Sequence, residues 1–229
     1  MKSVVDDKRI VKEYFNATGF DRWQRIYGSG EVNKVQLDIR NGHQQTVDAV
    51  VSWLQSDGNL EALSICDAGC GVGSLSIPLA QAGAQVFASD ISEKMVGEAQ
   101  QRAQDTLGDT KNITFAVQDL EELNGTYHTV ICLDVLIHYP QDKAAQMITH
   151  LANLAESRLI LSFAPKTFLL TILKKIGELF PGPSKTTRAY QHREAEIINI
   201  LQSNGFSIKR FGMTSTRFYY SRILEATRN

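Results

Sequence analysis

Cysteine is scarce: Cys66, Cys70 and Cys132 are the only three in 229 residues, and their spacing suits no metal site. An odd number of thiols in or beside apolar runs excludes a disulfide scaffold and fits buried free side chains in a reducing compartment. Neither sign of charge is in excess. The net charge of −1 gives no bulk attraction to nucleic acid. No uninterrupted apolar stretch reaches bilayer length. The start, MKSVVDDKRI, has no apolar signal-peptide core and is too acidic and too poor in Ser for a transit peptide, so a cytoplasmic or stroma-like location is expected. Repeats, linkers and low-complexity segments are missing too. With 43% hydrophobic residues, the chain reads as one good-sized domain with a substantial core.

What is present is a change of period near Gly58. Before it, VVDDKRIVKEYF, DRWQRIYG and NKVQLDIRNGHQQTVDAVVSWLQ read as helices, making residues 1–58 a helical segment. After it, the strand candidates LSICDAG, AQVFASD, ITFAVQD, YHTVICLDVLI and ESRLILSFA alternate with helical stretches at 74–82, 92–107 and 142–155. Such alternation predicts a parallel sheet covered on both faces, an α/β domain over 59–229. Regularity breaks after Pro165: an insertion over about 165–192 holds TFLLTILKKIGELF, Pro181-Gly182-Pro183 and SKTTRAYQH. The helix REAEIINILQSNG and the strands FSIKRFGM and STRFYYSRILEATR close the chain, the strands as an antiparallel hairpin at the sheet edge.

The loop CDAGCGVG carries Gly69, Gly71 and Gly73 between a strand and a helix. Glycines there allow a tight turn and close backbone approach, and the helix start offers free N–H groups. Asp90 ends the next strand, placed to accept both hydroxyls of a ribose. Those features suit a nicotinamide dinucleotide equally well. Asp67 at the loop's start favours a cationic ligand over a pyrophosphate, Asp119 in VQDLEEL is placed for an adenine amino group, and the terminal hairpin is foreign to the plain dinucleotide fold.

From Ser64 to Tyr139 the motifs DAGCGVG, SDISEKM, QDLEEL and ICLDVLIHY resemble the class I S-adenosylmethionine-dependent methyltransferases. The resemblance implies a Rossmann-like seven-stranded sheet, mostly parallel with an antiparallel C-terminal hairpin, and an N-terminal helical lid. It implies Asp67, Gly69, Gly71, Leu133 and Asp134 around the methionine part, Asp90 on the ribose, Ile91 and Met95 beside the adenine, and Asp119 and Leu120 on its edge.

EYFNATGFDRWQRIYG places Phe20, Trp23 and Tyr27 on one helix face. Together with IRNGHQQTVDAVVSWL, LSFAPKT, FPGPSKTTRAYQH and MTSTRFYYSRILEA, this segment makes nearly the whole chain similar to the magnesium protoporphyrin IX methyltransferase family. That family transfers a methyl group from S-adenosylmethionine to one propionate of the porphyrin, in chlorophyll biosynthesis, leaving S-adenosylhomocysteine. The magnesium is the substrate's, and no protein-bound metal is expected. A flat apolar macrocycle with two propionates needs apolar walls and a few cations. Trp23, Lys166, Phe168, Lys185, Arg188 and Arg217 are candidates, with Arg193 nearby. For TFLLTILKKIGELF, core packing and contact with a membrane surface through Lys174 and Lys175 both stay open. Contact with photosynthetic membranes or other chlorophyll-biosynthesis enzymes is part of what the resemblance implies.

An ionised propionate needs alignment more than a base. His138, just after the fourth strand, is the first candidate to orient it or to act as acid or base, and Tyr27 to hydrogen-bond it or close over the cofactor. His43, His128, His150 and His192 rank lower, His192 as a residue facing the porphyrin's magnesium. A methyltransferase of a quinone-like precursor and a tetrapyrrole carrier without catalysis are the alternatives.

Overall fold

In the computed structural model, which describes residues 6–28, 30–61, 63–166 and 190–229, strands and helices alternate from Ser64 onward. The strands β1 (Ser64–Ala68), β2 (Gln85–Asp90), β3 (Ile113–Val117), β4 (Tyr127–Cys132), β5 (Ala155–Phe163), β6 (Phe206–Ser215) and β7 (Tyr220–Arg228) form one sheet, ordered β3-β2-β1-β4-β5-β7-β6. The pairs among β1 to β5 are parallel, and β7 is antiparallel to both of its neighbours.

The expected hairpin exists, but its second strand enters the sheet. β7 sets Leu224 opposite Leu161 and Ala226 opposite Leu159, leaving β6 at the edge. Burial explains the order. Ile223, Leu224, Glu225 and Ala226 are consecutive buried residues, as an interior strand requires, whereas β6 alternates exposed and covered positions and tolerates an open side. β4 also differs from expectation. The apolar run through Ile137 reads as strand, yet the ladder stops at Cys132, because Asp134 turns to φ +59° and donates its N–H to Ser162 Oγ at 2.8 Å. A short 3-10 turn over Leu136–His138 follows.

Helices α1 (Asp6–Asn16), α2 (Thr18–Tyr27), α3 (Lys34–Ser56), α4 (Ser76–Gln81), α5 (Glu93–Leu107), α6 (Gln141–Leu154) and α7 (Glu194–Ser203) complete the described architecture. Alternate strand residues feed opposite cores. Ile65, Ile131 and Ile160 pack with Val47, Val50 and Leu54 of α3 and Leu79 of α4. Val130, Leu159, Leu161 and Leu224 pack with Met147, Ile148 and Leu151 of α6 and Ile197 and Leu201 of α7. α3 starts at a capping box, with Asn33 Oδ1 accepting the Gln36 N–H at 2.9 Å and Gln36 Oε1 accepting the Asn33 N–H at 3.3 Å. It packs on β6 and β7, while α1 and α2 pack on each other and on α5, and α2 also on α3. β1 lies between β2 and β4, so the loops leaving β1 and β4 diverge and open a crevice at the strands' carboxyl ends.

Candidate active site

The crevice is a cavity of about 320 Å³, within the size range of small-molecule sites. Its floor begins at the turn after β1, where Gly69, Gly71 and Gly73 have φ of +89°, +53° and +81°. A Cβ on Gly69 would overlap the Val135 side chain, so glycine there answers both to the left-handed backbone and to the close approach of the β4 loop. Gly69 and Gly71 line the cavity, as do Cys70 and Val72. Asp67 does not reach the wall. It is buried one layer below, accepting the Ser76 hydroxyl, and burial pushes its carboxyl up to about 6 against that bond.

Asp90 closes β2 and is on the wall. Its Oδ2 accepts the Gly71 N–H at 3.0 Å and its Oδ1 the Ser92 N–H at 2.9 Å. Burial raises its pKa, opposed by the backbone N–H groups of Ser92, Gly71 and Ile91. Ile91, Met95, Leu120 and Leu133 supply an apolar wall. Asp119, also on the wall, caps the turn at Leu120 through Oδ1 to the Glu121 N–H at 2.9 Å, and its Oδ2 meets Lys8 Nζ at 3.0 Å. Sequence reading missed Lys8, whose partners lie more than 100 residues away.

At the opposite end Asp134 collects four side-chain donors. His43 Nδ1 lies 2.9 Å and Tyr219 Oη 2.7 Å from Oδ2, and Ser162 Oγ 2.9 Å and Ser221 Oγ 3.2 Å from Oδ1. Burial works to raise this carboxyl, but the bonds from His43, Tyr219 and Ser162 overcome it and hold the group below the ordinary carboxylate range. Tyr219 Oη is also 3.1 Å from Thr46 Oγ1.

The roof comes from α1 and α2. Trp23 and Tyr27 stack with ring centroids 5.3 Å apart, and Tyr27 lies 4.5 Å from the His43 ring. Phe20, the third residue of that helical face, instead lies beneath Lys94. Phe15 meets His138 edge-on at 5.2 Å. His138 lines the cavity, its Nδ1 is buried without a hydrogen-bond partner, and burial drives its pKa down to about 4. Burial, then Asp134 and Asp90, lift the Tyr27 phenol well above its ordinary value, so it remains a donor.

Trp23, Tyr27, His138, Asp90, Asp119 and Asp134 thus surround one space. Lys166 and Arg217 are exposed and off its wall. The Lys166 N–H donates to His192 O at 2.8 Å, and the Arg217 guanidinium lies over Phe218. Arg193 pairs with Glu196 at 3.2 Å on the surface. Phe168, Lys174, Lys175, Lys185, Arg188 and Pro181-Gly182-Pro183 lie outside the described residues. His192 is corrected: fully buried, it has Nδ1 2.7 Å from Gln141 Oε1 and Nε2 2.9 Å from Leu136 O, and no ring nitrogen is left for magnesium. His128 contacts Thr129 Oγ1 and His150 contacts Leu123 O.

The sequence alone ranks His43 below His138 and does not single out Tyr219. The available signal was Gly42, a helix breaker inside α3, whose Cβ would run into the Tyr219 ring.

This sheet order, with a glycine turn after β1 and a carboxylate ending β2 beneath helices that roof the crevice, defines a methyltransferase of the S-adenosylmethionine-dependent class. Residues 65–157 match the methyltransferase domain, and 132–228 match the magnesium-protoporphyrin IX methyltransferase C-terminus. Magnesium-protoporphyrin O-methyltransferase of Synechocystis sp. is 72% identical over 227 residues, 99% of each chain. Crystal structures of the Synechocystis magnesium protoporphyrin IX methyltransferase align with TM-scores of 0.92 (71% identity, 97% of this chain and 100% of that one, S-adenosylhomocysteine bound) and 0.88 (64% identity, all of both, S-adenosylmethionine bound). The chain belongs to the magnesium-protoporphyrin IX methyltransferase family.

Proposed function

We propose that this chain transfers the methyl group of S-adenosylmethionine to a propionate carboxylate of magnesium protoporphyrin IX, forming the monomethyl ester and S-adenosylhomocysteine. The observation that carries this reading is 72% identity across 99% of both chains to a magnesium-protoporphyrin O-methyltransferase. The residues present fit the cofactor. Asp90 presents a carboxylate on the cavity wall that suits the ribose hydroxyls, Ile91, Met95 and Leu120 suit an adenine, and Asp119 suits its edge. Gly69 and Gly71, which line the cavity as bare backbone, suit the methionine part.

When bound, S-adenosylmethionine supplies an electrophilic methyl group on a cationic sulfur. The chain's own work is alignment and exclusion of water. A propionate, with a pKa of about 4.3 like a Glu side chain, arrives ionised at neutral pH. His138 is neutral there and meets it as a hydrogen-bonding wall group, and Tyr27 donates from above. Residues 6–28 serve as the lid whose aromatic face excludes water while oxygen, methyl carbon and sulfur are brought into line. Cytoplasmic residence with peripheral contact at photosynthetic membranes or neighbouring pathway enzymes is a further part of the proposal, for vesicle flotation to test. Among the described residues no helix is long and apolar enough to cross a membrane.

The decisive assay incubates purified protein with methyl-labelled S-adenosylmethionine and magnesium protoporphyrin IX and analyses the pigment by mass spectrometry. One labelled methyl ester is expected. Bound but unlabelled pigment would make the protein a carrier, and label only on a phenolic acceptor would make it a different methyltransferase.

A further inference from the structure

We propose that Arg40 and Arg102 are positioning residues for Tyr27: from two different helices they close the carboxyl end of α2 and fix where the Tyr27 ring stands over the cavity. The inference rests on the acceptor reading above. Neither arginine is on the cavity wall, so each acts through Tyr27 rather than on a ligand.

α2 has little of its own to hold its carboxyl end. It runs for ten residues, too short to persist alone, and Ala17 before it supplies no side-chain cap. The chain leaves it in extended backbone at Gly28, φ −87° and ψ 177°, without the left-handed turn by which many helices pair their last carbonyls. Tyr27 is the final helical residue, where a helix frays first.

Guanidiniums take those carbonyls instead. Arg40 of α3 donates through Nε to Ile26 O at 2.6 Å and through Nη2 to Arg25 O at 2.8 Å and Gly30 O at 3.0 Å, and Arg102 of α5 donates through Nη1 to Tyr27 O at 2.8 Å. Three successive carbonyls of the last turn thus meet two permanent cations, the sign of charge that a helix's carboxyl end favours.

Both anchors are themselves placed. Glu98 accepts Arg102 Nε at 2.8 Å on one oxygen and Gln24 Nε2 at 2.8 Å on the other, which ties α5 to α2 a second time. Met95, on the cavity wall, precedes Arg102 by two turns of α5, and His43, also on the wall, follows Arg40 by one turn of α3. The helix faces that bear the clamp therefore bear wall residues too. Tyr27 stacks on Trp23 at 5.3 Å and lies 4.5 Å from the His43 ring, so its backbone is fixed to the same two helices that its ring must match. A misplacement of about 1 Å in a group that orients a reactant costs on the order of a hundredfold in rate.

With labelled S-adenosylmethionine and magnesium protoporphyrin IX, both saturating, Arg102→Ala is expected to lower kcat by about tenfold, the effect of losing a charged hydrogen bond. S-adenosylhomocysteine affinity by calorimetry should stay close to that of wild type. Arg102→Lys, which can still reach one carbonyl, should recover part of the rate. The discriminating measurement is a double-mutant cycle with Tyr27→Phe, which removes the hydroxyl and keeps the stacked ring. Adding Arg102→Ala to Tyr27→Phe should cost no more than about twofold further in kcat, because the group it positions is already gone. The cycle with Arg40→Ala carries the same expectation, and Arg102→Gln replaces Arg102→Ala in it where the alanine variant does not fold. Single effects that multiply in the double variant would overturn the proposal for that arginine and leave it a structural role only. Full activity in Tyr27→Phe would overturn it for both, as would a loss confined to cofactor affinity. Wild type that fails to methylate the pigment at all would instead overturn the acceptor reading.

Discussion

Residues 6–28 stay over the cavity through a few buried apolar side chains, Val11 and Ile26 among them, and several long polar ones, whereas the loops beneath them grow from strands whose atoms are almost wholly buried. Arg40 donates to the carbonyls of Ile26, Arg25 and Gly30 at 2.6, 2.8 and 3.0 Å, Arg102 to Tyr27 O at 2.8 Å, and Ser92 Oγ to Phe15 O at 3.2 Å. Lys8 and Gln24 add contacts to Asp119 and Glu98. Below, Asp67, Ser89 and the β1, β4 and β5 side chains sit in a packed interior. Solvent competes with the contacts of the roof but not with those of the floor. The roof is therefore the part that opens at low cost, and the floor the part that keeps carboxylates at fixed positions.

Breaking the floor should have the largest effect. If Asp90 makes the ribose bonds proposed for it, Asp90→Ala should weaken S-adenosylmethionine and S-adenosylhomocysteine by about 2–3 kcal/mol, read by calorimetry. Unchanged affinity for both would take Asp90 out of the site.

The seam between roof and floor is tested by acid. His138, ordinarily near 6.5, is held at about 4 in the folded protein, so between those values the unfolded chain binds a proton that the folded one refuses. Its contribution is complete above pH 6.5 and is lost as pH falls toward 4, by about 2.5 kcal/mol at pH 4.5. Asp67, raised to about 6, acts oppositely, because the folded chain is the one that binds the extra proton between pH 3.8 and 6. The His138 effect is therefore read as wild type minus His138→Asn in denaturant unfolding from pH 7 to 4.5. A constant difference would show that the imidazole is solvated. In turnover, His138→Ala should lower kcat with the same pH profile from about 5.5 to 9, whereas loss of a limb would mark acid–base catalysis.

Arg40→Ala attacks the roof alone. Amide exchange in α2 should quicken by about tenfold, from the loss of charged hydrogen bonds worth about 1–2 kcal/mol, while the strands stay unchanged. Adding S-adenosylhomocysteine and pigment together should slow exchange over 6–28 in wild type. Equal acceleration in β1 and β4 would mean that roof and floor open as one unit. The smallest effect belongs to Lys8→Ala, about 0.5 kcal/mol on cofactor affinity and weaker in high salt, since its pairs with Asp119 and Glu121 are partly exposed.

The same division governs what was legible in advance. Strands β1 to β3 and β5, the glycine turn and Asp90 follow from local period and spacing, because a strand feeding a helix fixes where its last carboxylate falls. β4 was read too long, since LDVLI is apolar throughout and only the φ of Asp134 and its bond to Ser162 end the ladder. The place of β7 inside the sheet depended on two consecutive buried faces meeting β5. Trp23 and Tyr27 were visible as a helical stripe, but not Phe20's turn toward Lys94. Lys166 and Arg217 were chosen for charge type, and the structure puts both in solvent.

Periodicity and short motifs are local quantities, and by themselves they determined the alternating α/β order, the glycine turn, the positions of the two carboxylates Asp90 and Asp119 and the aromatic stripe of α2. Tertiary structure decided which distant groups share a charge: His43, Asp134 and Tyr219, separated by 91 and 85 residues, meet on one carboxylate. No local pattern encodes that meeting. It follows from the antiparallel entry of β7 beside β5, which carries the β6–β7 turn to α3, and from the missing Cβ of Gly42, which lets the tyrosine close the gap.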